Sequence, residues 1–361
     1  MKEYIIARTE KMRAAMARGG CDAFVMMTDE SVNWESLFYM SGFRGTSGAL
    51  LIYPYSAELI LDSRYAEQGR AQSPHTVFEQ KIGLTEDIAS SLAYHNAAYV
   101  MCEADKTFHT SWAKLSSCVV SLSDGTPLMK ELRRTKDASE ISSVRRAGDI
   151  GTEAFLETLN HVKDGMSEKE FESLLNYNIN MLGGENGFDM IVASGTRSSM
   201  PHGRATDKKM RAGEWVTVDY GARFNGYFCD ITRNFSIGAP DDKAASYHET
   251  VLEAHRVSAE KIRAGVCGTD IHNTALAVLE SRGLGRYFTH SLGHGFGLEI
   301  HEAPYLSPRR KSVLQAGDIV TVEPGIYIEG WGGLRIEDDY LVAENSVQRL
   351  TDKLNQCFYR I

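Results

Sequence analysis

Four acidic residues stand at matching places in two similar segments, and that spacing is the first sign of chemistry. The segment Ala212-Gly213-Glu214-Trp215-Val216-Thr217-Val218-Asp219-Tyr220-Gly221 returns 104 residues later as Ala316-Gly317-Asp318-Ile319-Val320-Thr321-Val322-Glu323-Pro324-Gly325. Extended to Gly226 and Gly330, 7 of 15 positions are identical, where chance at ordinary residue frequencies gives about one. A further acid follows each copy, Asp230 in the first and Glu337 in the second. Asn225-Gly226 is a strong two-residue hairpin signal. A hairpin with that loop pairs position 219 with 232 and puts Asp230 on the same face as Asp219, one diagonal away. The second copy presents the same device with Glu323 and Glu337. Two such charges about 5 Å apart repel by roughly 3 kcal/mol at an effective dielectric of about 20, so four of them call for protons or cations in between.

The histidines add to this reading. His290, His294 and His301 lie within 289–302, and His202 stands in Met200-Pro201-His202-Gly203-Arg204. One histidine with four carboxylates is an oxygen-rich donor set that suits two ions of the Mn²⁺, Fe²⁺ or Co²⁺ kind better than the N/S-dominated sites of structural zinc. Two bridged metals hold hydroxide at neutral pH and polarise a carbonyl, so the chemistry implied is metal-assisted hydrolysis. His290 and His294 have the spacing of a helical zinc pair, but Gly293, Gly295 and Gly297 oppose a helix and the glutamate of that motif is missing. A dinucleotide loop is set aside as well, because Leu298 stands where its third glycine belongs. Asp338 and Asp339 are read as non-ligands, one for its strand parity and the other for lying beyond the cluster. Histidines 75, 95, 109, 161, 248, 255 and 272 fall outside any constellation.

These side chains need a scaffold, and the chain outlines one. Residues 1–125 alternate strand-like runs such as Phe24-Val25-Met26-Met27, Leu50-Leu51-Ile52-Tyr53 and Leu59-Ile60-Leu61 with helix-like stretches, an α/β module with a hairpin at Tyr53-Pro54-Tyr55-Ser56-Ala57. Residues 126–136 read as a linker. Residues 137–361 form the second domain. Asp137 with Glu140, and Ser167 with Glu170, are helix starts of the capping-box type. Apolar stripes follow each, and two more amphipathic helices are expected near 241–263 and 269–282. Strand-like segments at 215–237 and 318–342 flank these helices. The repeat implies two pseudo-symmetric halves facing one another across a site.

Composition narrows the function. The chain has 361 residues, 43% hydrophobic and 24% charged, with 39 Lys plus Arg against 48 Asp plus Glu and a net charge of −9. That acidic balance argues against nucleic acid or anionic lipid as a partner. No apolar run approaches the roughly 20 residues that span a bilayer, and the first residues carry no apolar signal core, so a cytoplasmic protein is expected. The six cysteines lack metal or disulfide spacing and read as reduced thiols, Cys229 as a small buried hydrophobe.

Several motifs together resemble a known family: Phe188-Asp189-Met190-Ile191-Val192-Ala193-Ser194-Gly195, Pro201-His202-Gly203, Asp230-Ile231-Thr232-Arg233, Gly293-His294-Gly295, Ile300-His301-Glu302, Val322-Glu323-Pro324-Gly325 and Arg335-Ile336-Glu337-Asp338. The chain resembles the pita-bread metallopeptidases of the creatinase, aminopeptidase P and prolidase type. The segment 39–45 is similar to their creatinase-like amino domain. The resemblance implies an α/β (α+β) protein in which that smaller domain precedes a pseudo-symmetric pita-bread catalytic domain. It implies that Asp219, Asp230, His294, Glu323 and Glu337 hold two divalent metals, Mn²⁺ first, with Co²⁺, Fe²⁺ or Zn²⁺ as substitutes. Asp230 and Glu337 would bridge them, and Glu323 would accept the proton of the bridging water. His202 and His301 match substrate-contacting and proton-shuttling histidines, His290 a further site histidine of the proline-specific branch, and Arg335 a group near the substrate. Tyr327 is a weaker candidate. The implied substrate is a proline-containing peptide cut at its N-terminal Xaa-Pro bond by a bridging hydroxide, in a homodimeric enzyme. Xaa-Pro dipeptidase is the alternative, ahead of a methionine aminopeptidase or a non-catalytic peptide-binding relative.

Overall fold

The structure is a computed structural model that describes residues 2–361. The chain divides into two compact units, one up to Arg133 and the other Arg134–Ile361.

The first unit is built on a six-stranded mixed sheet in the order Thr76–Glu79, Ala57–Leu61, Gly48–Ile52, Ala23–Thr28, Tyr99–Cys102, Ser121–Asp124. Its central strand, Ala23–Thr28, is buried at every position, as an unbroken apolar run requires. The hairpin expected at 53–57 is present, closed by the Tyr53 N–H donating to the Ser56 carbonyl at 2.9 Å. The linker expected at 126–136 is not one. Ser121–Asp124 adds in parallel to Tyr99–Cys102, and Thr126–Arg134 is a helix. Pro127 sits in the first helical turn, where no N–H is needed, and Asp124 accepts the Thr126 N–H at 2.8 Å. Thr126, Met129 and Arg133, spaced by three and four, face inward. The polar composition that suggested a linker belongs to the outer face of this helix.

In the second unit both capping boxes form. Asp137 starts the helix Ala138–Leu159, and Ser167 starts Glu168–Met181. The helices Asp242–Ala259 and Gly268–Ser281 fall close to the expected segments. Two cores result. In one, Ile150, Phe155, Phe171 and Leu175 pack on Val216, Val218 and Ile231. In the other, Val251, Ile271, Ala275 and Leu279 pack on Val320, Val322 and Tyr340. Each helix pair therefore backs a sheet of its own, as the repeat implied.

The strands carry the acids. Trp215–Tyr220 pairs antiparallel with Ile231–Ser236, and Asp219 lies opposite Thr232 as expected. Asn225 and Gly226 form the two-residue turn with φ of 50° and 85°, the left-handed pair that this tight hairpin needs. In the second copy Val322 pairs with Asp338, Gly325 with Arg335 and Ile328 with Gly332, which leaves the three residues Glu329, Gly330 and Trp331 as the loop. That one extra residue shifts the return strand. Glu323 faces Glu337, whereas Asp219 faces Thr232, so the counterpart of Glu337 is Thr232 and that of Asp230 is Arg335. The expected match of Asp230 with Glu337 is thereby corrected. The two hairpins meet in an isolated antiparallel bridge between Thr232 and Glu337. Among the described residues no helix is long and apolar enough to cross a membrane.

One histidine outside the site makes the fold sensitive to acid. His248 is buried against Phe358, and burial lowers its pKa to about 4. The unfolded chain takes up that proton near pH 6.5, so the stability this histidine contributes is complete above 6.5 and is lost as pH falls toward 4, by about 1.4 kcal/mol per unit. Denaturant titrations of wild type and His248→Gln at pH 7.5, 6 and 5 should show the flatter pH dependence in the variant.

Candidate active site

All nine residues singled out for metal binding or chemistry line one cavity of about 820 Å³ in the second unit. Asp219 and Asp230 reach it from the first hairpin, while Glu323, Arg335 and Glu337 reach it from the second. His294 lies on the short strand Gly293–Gly295, which pairs with Glu302–Leu306 and contacts Ile319–Val322. A Cβ at Gly293 would come within 2.1 Å of the Thr321 carbonyl, so glycine is what lets this strand press against its neighbour. His202, His290 and His301 complete the wall from loops.

The four carboxylates cannot all carry charge unaided. Burial, then repulsion from Glu337 and Asp219, drives the Asp230 carboxyl far above its usual range. Burial and Glu337 do the same to Glu323. Burial and Asp219 lift Glu337 to about 8, and burial raises Asp219 despite the guanidinium of Arg335 beside it. His294 behaves in the opposite sense, because burial and His301 lower it to about 3 and keep it neutral. Its Nδ1 lies 3.1 Å from the Gly295 carbonyl. With the ring proton donated there, Nε2 is free to face Asp230 Oδ2 at 3.7 Å and Glu323 Oε1 at 3.5 Å.

A bound cation would resolve this arrangement. Asp230, His294 and Glu337 each offer a ligand atom, and these atoms lie within 4.8 Å of one another. Asp219 Oδ1 is buried with no hydrogen-bond partner, although Oδ2 accepts Arg335 Nη2–H at 2.6 Å. An orphaned carboxylate oxygen and a neutral imidazole nitrogen turned toward acids are donors that a divalent metal takes. The residues present fit the group.

Around these acids runs a hydrogen-bonded frame. Arg335 donates Nη1–H to the Tyr327 hydroxyl at 2.5 Å and Nε–H to Thr232 Oγ1 at 2.9 Å. Thr232 in turn donates to Glu337 Oε2 at 2.7 Å. Tyr327, the weaker candidate, is buried and lies 3.1 Å from His290 Nε2, so it joins Arg335 to that histidine. His290 Nδ1 lies 2.8 Å from the Ser291 carbonyl, and burial lowers its pKa to about 4. The His301 ring lies 4.4 Å from the His294 ring, tilted by 59°, while His202 is exposed at the wall.

Thr232, Arg233, Asp338 and Asp339 take part in ways that escaped the sequence reading. Thr232 was placed opposite Asp219 by the hairpin register, but nothing marked its hydroxyl as the tie between Arg335 and Glu337. Asp338, set aside as a ligand, forms a buried pair with Arg233 at 2.6 Å. That guanidinium also donates to the carbonyls of Thr232 at 2.9 Å and Glu337 at 2.6 Å, clamping the two hairpins behind the acids. Asp339 accepts the Asp230 N–H at 3.1 Å. Neither Asp338 nor Asp339 lines the cavity.

A donor set of this kind fits a metal-dependent hydrolase, and comparison with known proteins gives the family. Residues 142–344 match metallopeptidase family M24, and residues 8–135 match the creatinase/prolidase N-terminal domain. The chain belongs to metallopeptidase family M24, with a creatinase-type amino-terminal domain ahead of a pita-bread domain. It is 35% identical over 349 residues to the uncharacterized peptidase YqhT of Bacillus subtilis (strain 168), covering 95% of this chain and 97% of that protein. It is 41% identical over 225 residues to an Xaa-Pro dipeptidase of Pyrococcus furiosus, a match that spans 62% of this chain and 65% of that protein. Among solved structures, the X-Pro aminopeptidase of Thermotoga maritima MSB8 superposes with a TM-score of 0.92 at 36% identity, covering 96% of this chain and 100% of that one. An Xaa-Pro dipeptidase from Bacillus anthracis gives 0.92 at 35% identity, covering 99% and 100%.

The frame can be probed through its hydroxyl. Thr232→Val keeps the shape of the side chain but removes the bond to Glu337 and strands Arg335 Nε–H. Titration of chelator-stripped protein with Mn²⁺ should show affinity weakened about tenfold, while the fold is kept.

Proposed function

We propose that this protein removes the N-terminal residue from peptides whose second residue is proline, with Asp219, Asp230, His294, Glu323 and Glu337 holding two divalent metals. The observation that carries this reading is the convergence on a single cavity of one neutral imidazole and four carboxylates, Asp230 and Glu337 buried and Asp219 and Glu323 partly so. The names of its relatives supply the substrate class. Mn²⁺ is the proposed metal, with Co²⁺, Fe²⁺ or Zn²⁺ as substitutes, and the working form is proposed to be a cytoplasmic homodimer.

When bound, the metals would polarise the scissile carbonyl and make water nucleophilic at neutral pH. The chain supplies the rest. Glu323, whose Oε1 lies 3.5 Å from His294 Nε2, would accept the proton of the attacking water. His301, beside His294 and exposed, would pass a proton to the departing proline nitrogen. Arg335 holds Asp219 in one orientation, and His202 and His290 border the space left for the peptide. A tertiary Xaa-Pro amide has no N–H to offer, so this wall must recognise the ring by shape.

Dipeptidase action is the second reading. It is favoured by the Xaa-Pro dipeptidases of Pyrococcus furiosus and Bacillus anthracis among the relatives. The two readings share every residue named above and differ only in what the site accepts beyond proline.

Chelator-stripped protein with and without added Mn²⁺, assayed for alanine release from Ala-Pro and Ala-Pro-Ala-Ala, separates them. Metal-dependent release from the longer peptide supports the aminopeptidase. Release from Ala-Pro alone turns the assignment to the dipeptidase, and silence on both overturns the proposal. Asp230→Ala should abolish both metal binding and turnover. His301→Ala should lower kcat by about a hundredfold while metal content, read by elemental analysis, stays at the wild-type level.

A further inference from the structure

The loop that carries His202 is gripped by a carboxylate lying outside the cavity. Glu168 is the first residue of the helix Glu168–Met181, directly after its Ser167 cap, and it is fully buried. Its Oε1 accepts the backbone N–H and the hydroxyl of Ser194, both at 2.8 Å. Its Oε2 accepts the Thr206 N–H at 3.0 Å, the Thr206 hydroxyl at 2.7 Å and the guanidinium of Arg197. Ser194 ends the strand Ile191–Ser194, and Thr206 follows the cavity wall residue Arg204 by two positions. The two oxygens of one side chain therefore hold both ends of the segment 195–205. From inside that segment Arg197 donates Nη2–H to the Arg204 carbonyl at 2.9 Å, which draws the loop closed.

The same segment reaches the site. Pro201, His202 and Arg204 line the cavity, while Glu168 does not. On its far side the loop is tied to the second hairpin. Ser198 Oγ accepts the Gly333 N–H at 2.8 Å, and the Pro201 carbonyl accepts Arg335 Nη1–H at 3.4 Å. A helix start needs no buried carboxylate beyond its cap, and Ser167 with Glu170 already provides one. Burying an acid is costly unless its lone pairs are filled, and five donors from the two ends and the interior of one loop fill them here. The investment is in the position of the loop.

We propose that Glu168 is a positioning residue for the substrate side of the cavity: by joining Ser194 to Thr206 it sets where His202 stands, and it acts on turnover through His202 rather than through the acids that face the metals. The proposal rests on the reading above in giving His202 to the peptide.

A double-mutant cycle tests it. Glu168→Gln should lower kcat/KM on the preferred Xaa-Pro peptide about tenfold or more in the wild-type background and less than about twofold in a His202→Ala background, since by this proposal the loss passes through His202. Mn²⁺ affinity, measured by calorimetry on chelator-stripped protein, should stay within about twofold of wild type in both, because the acids keep their own supports. An equal loss in the two backgrounds, or weakened Mn²⁺ binding that parallels the lost activity, overturns the proposal and leaves the proposed function standing. Full activity of His202→Ala alone overturns the role of His202 and this proposal together. Failure of the wild-type protein to cut any Xaa-Pro peptide overturns the function itself. If Glu168→Gln does not fold, Arg197→Gln serves, since it removes one donor and the bond to Arg204 and should reproduce the same non-additive pattern at smaller size.

Discussion

The mutual repulsion of Asp219, Asp230, Glu323 and Glu337 is the constraint on which the rest of the second unit depends. Four acids in one cavity are tolerable only with cations among them or protons on them. Among the described residues a single guanidinium bonds directly to a member of the set, Arg335 to Asp219. The protein leaves a neutral imidazole and an unpartnered carboxylate oxygen turned toward the remaining space. A site that is unfavourable when empty and favourable when loaded has its folding free energy linked to metal binding.

Holding such a set requires backbone that does not yield. Arg233, fully buried, fastens the backbone of Thr232 to that of Glu337 and is itself held by Asp338. Thr232 then links the side chains of Arg335 and Glu337. The acids thus stand on two hairpins joined by a buried ion pair and a shared hydroxyl. The substrate side is built differently, on a loop drawn together by Glu168 and Arg197 and joined to the second hairpin through Ser198 and Pro201.

Pseudo-symmetry explains how a duplicated device gives an asymmetric site. The halves share helix pairs, sheets and the strand ending in an acid. A loop longer by one residue at Glu329-Gly330-Trp331 moves the second return strand against the first. Arg335 then occupies the place that Asp230 holds in the other half, and Glu337 the place of Thr232. An exact duplicate of either half would also have set four acids together; the slip changes where they stand, a guanidinium taking the place of one acid and an acid that of a hydroxyl.

Much of this was legible in the residue order, because the signals were local. The capping boxes at Asp137 and Ser167, the Asn225-Gly226 turn with Asp219 opposite Thr232, and the 104-residue repeat each depend on contacts a few residues apart or on direct likeness between segments. The acids and histidines that the structure gathers in one cavity were named from their chemistry and spacing. Local composition misled at 126–136, where a polar outer face hid a helix whose inner face is Thr126, Met129 and Arg133. What only the tertiary structure decided was the pairing across the halves: Thr232 with Glu337, Arg233 beneath both, and Glu168 reaching from a helix start to the two ends of the His202 loop. Those contacts join residues 26 to 105 positions apart, and no rule of spacing relates such positions until the cores have packed and brought them within reach of a hydrogen bond.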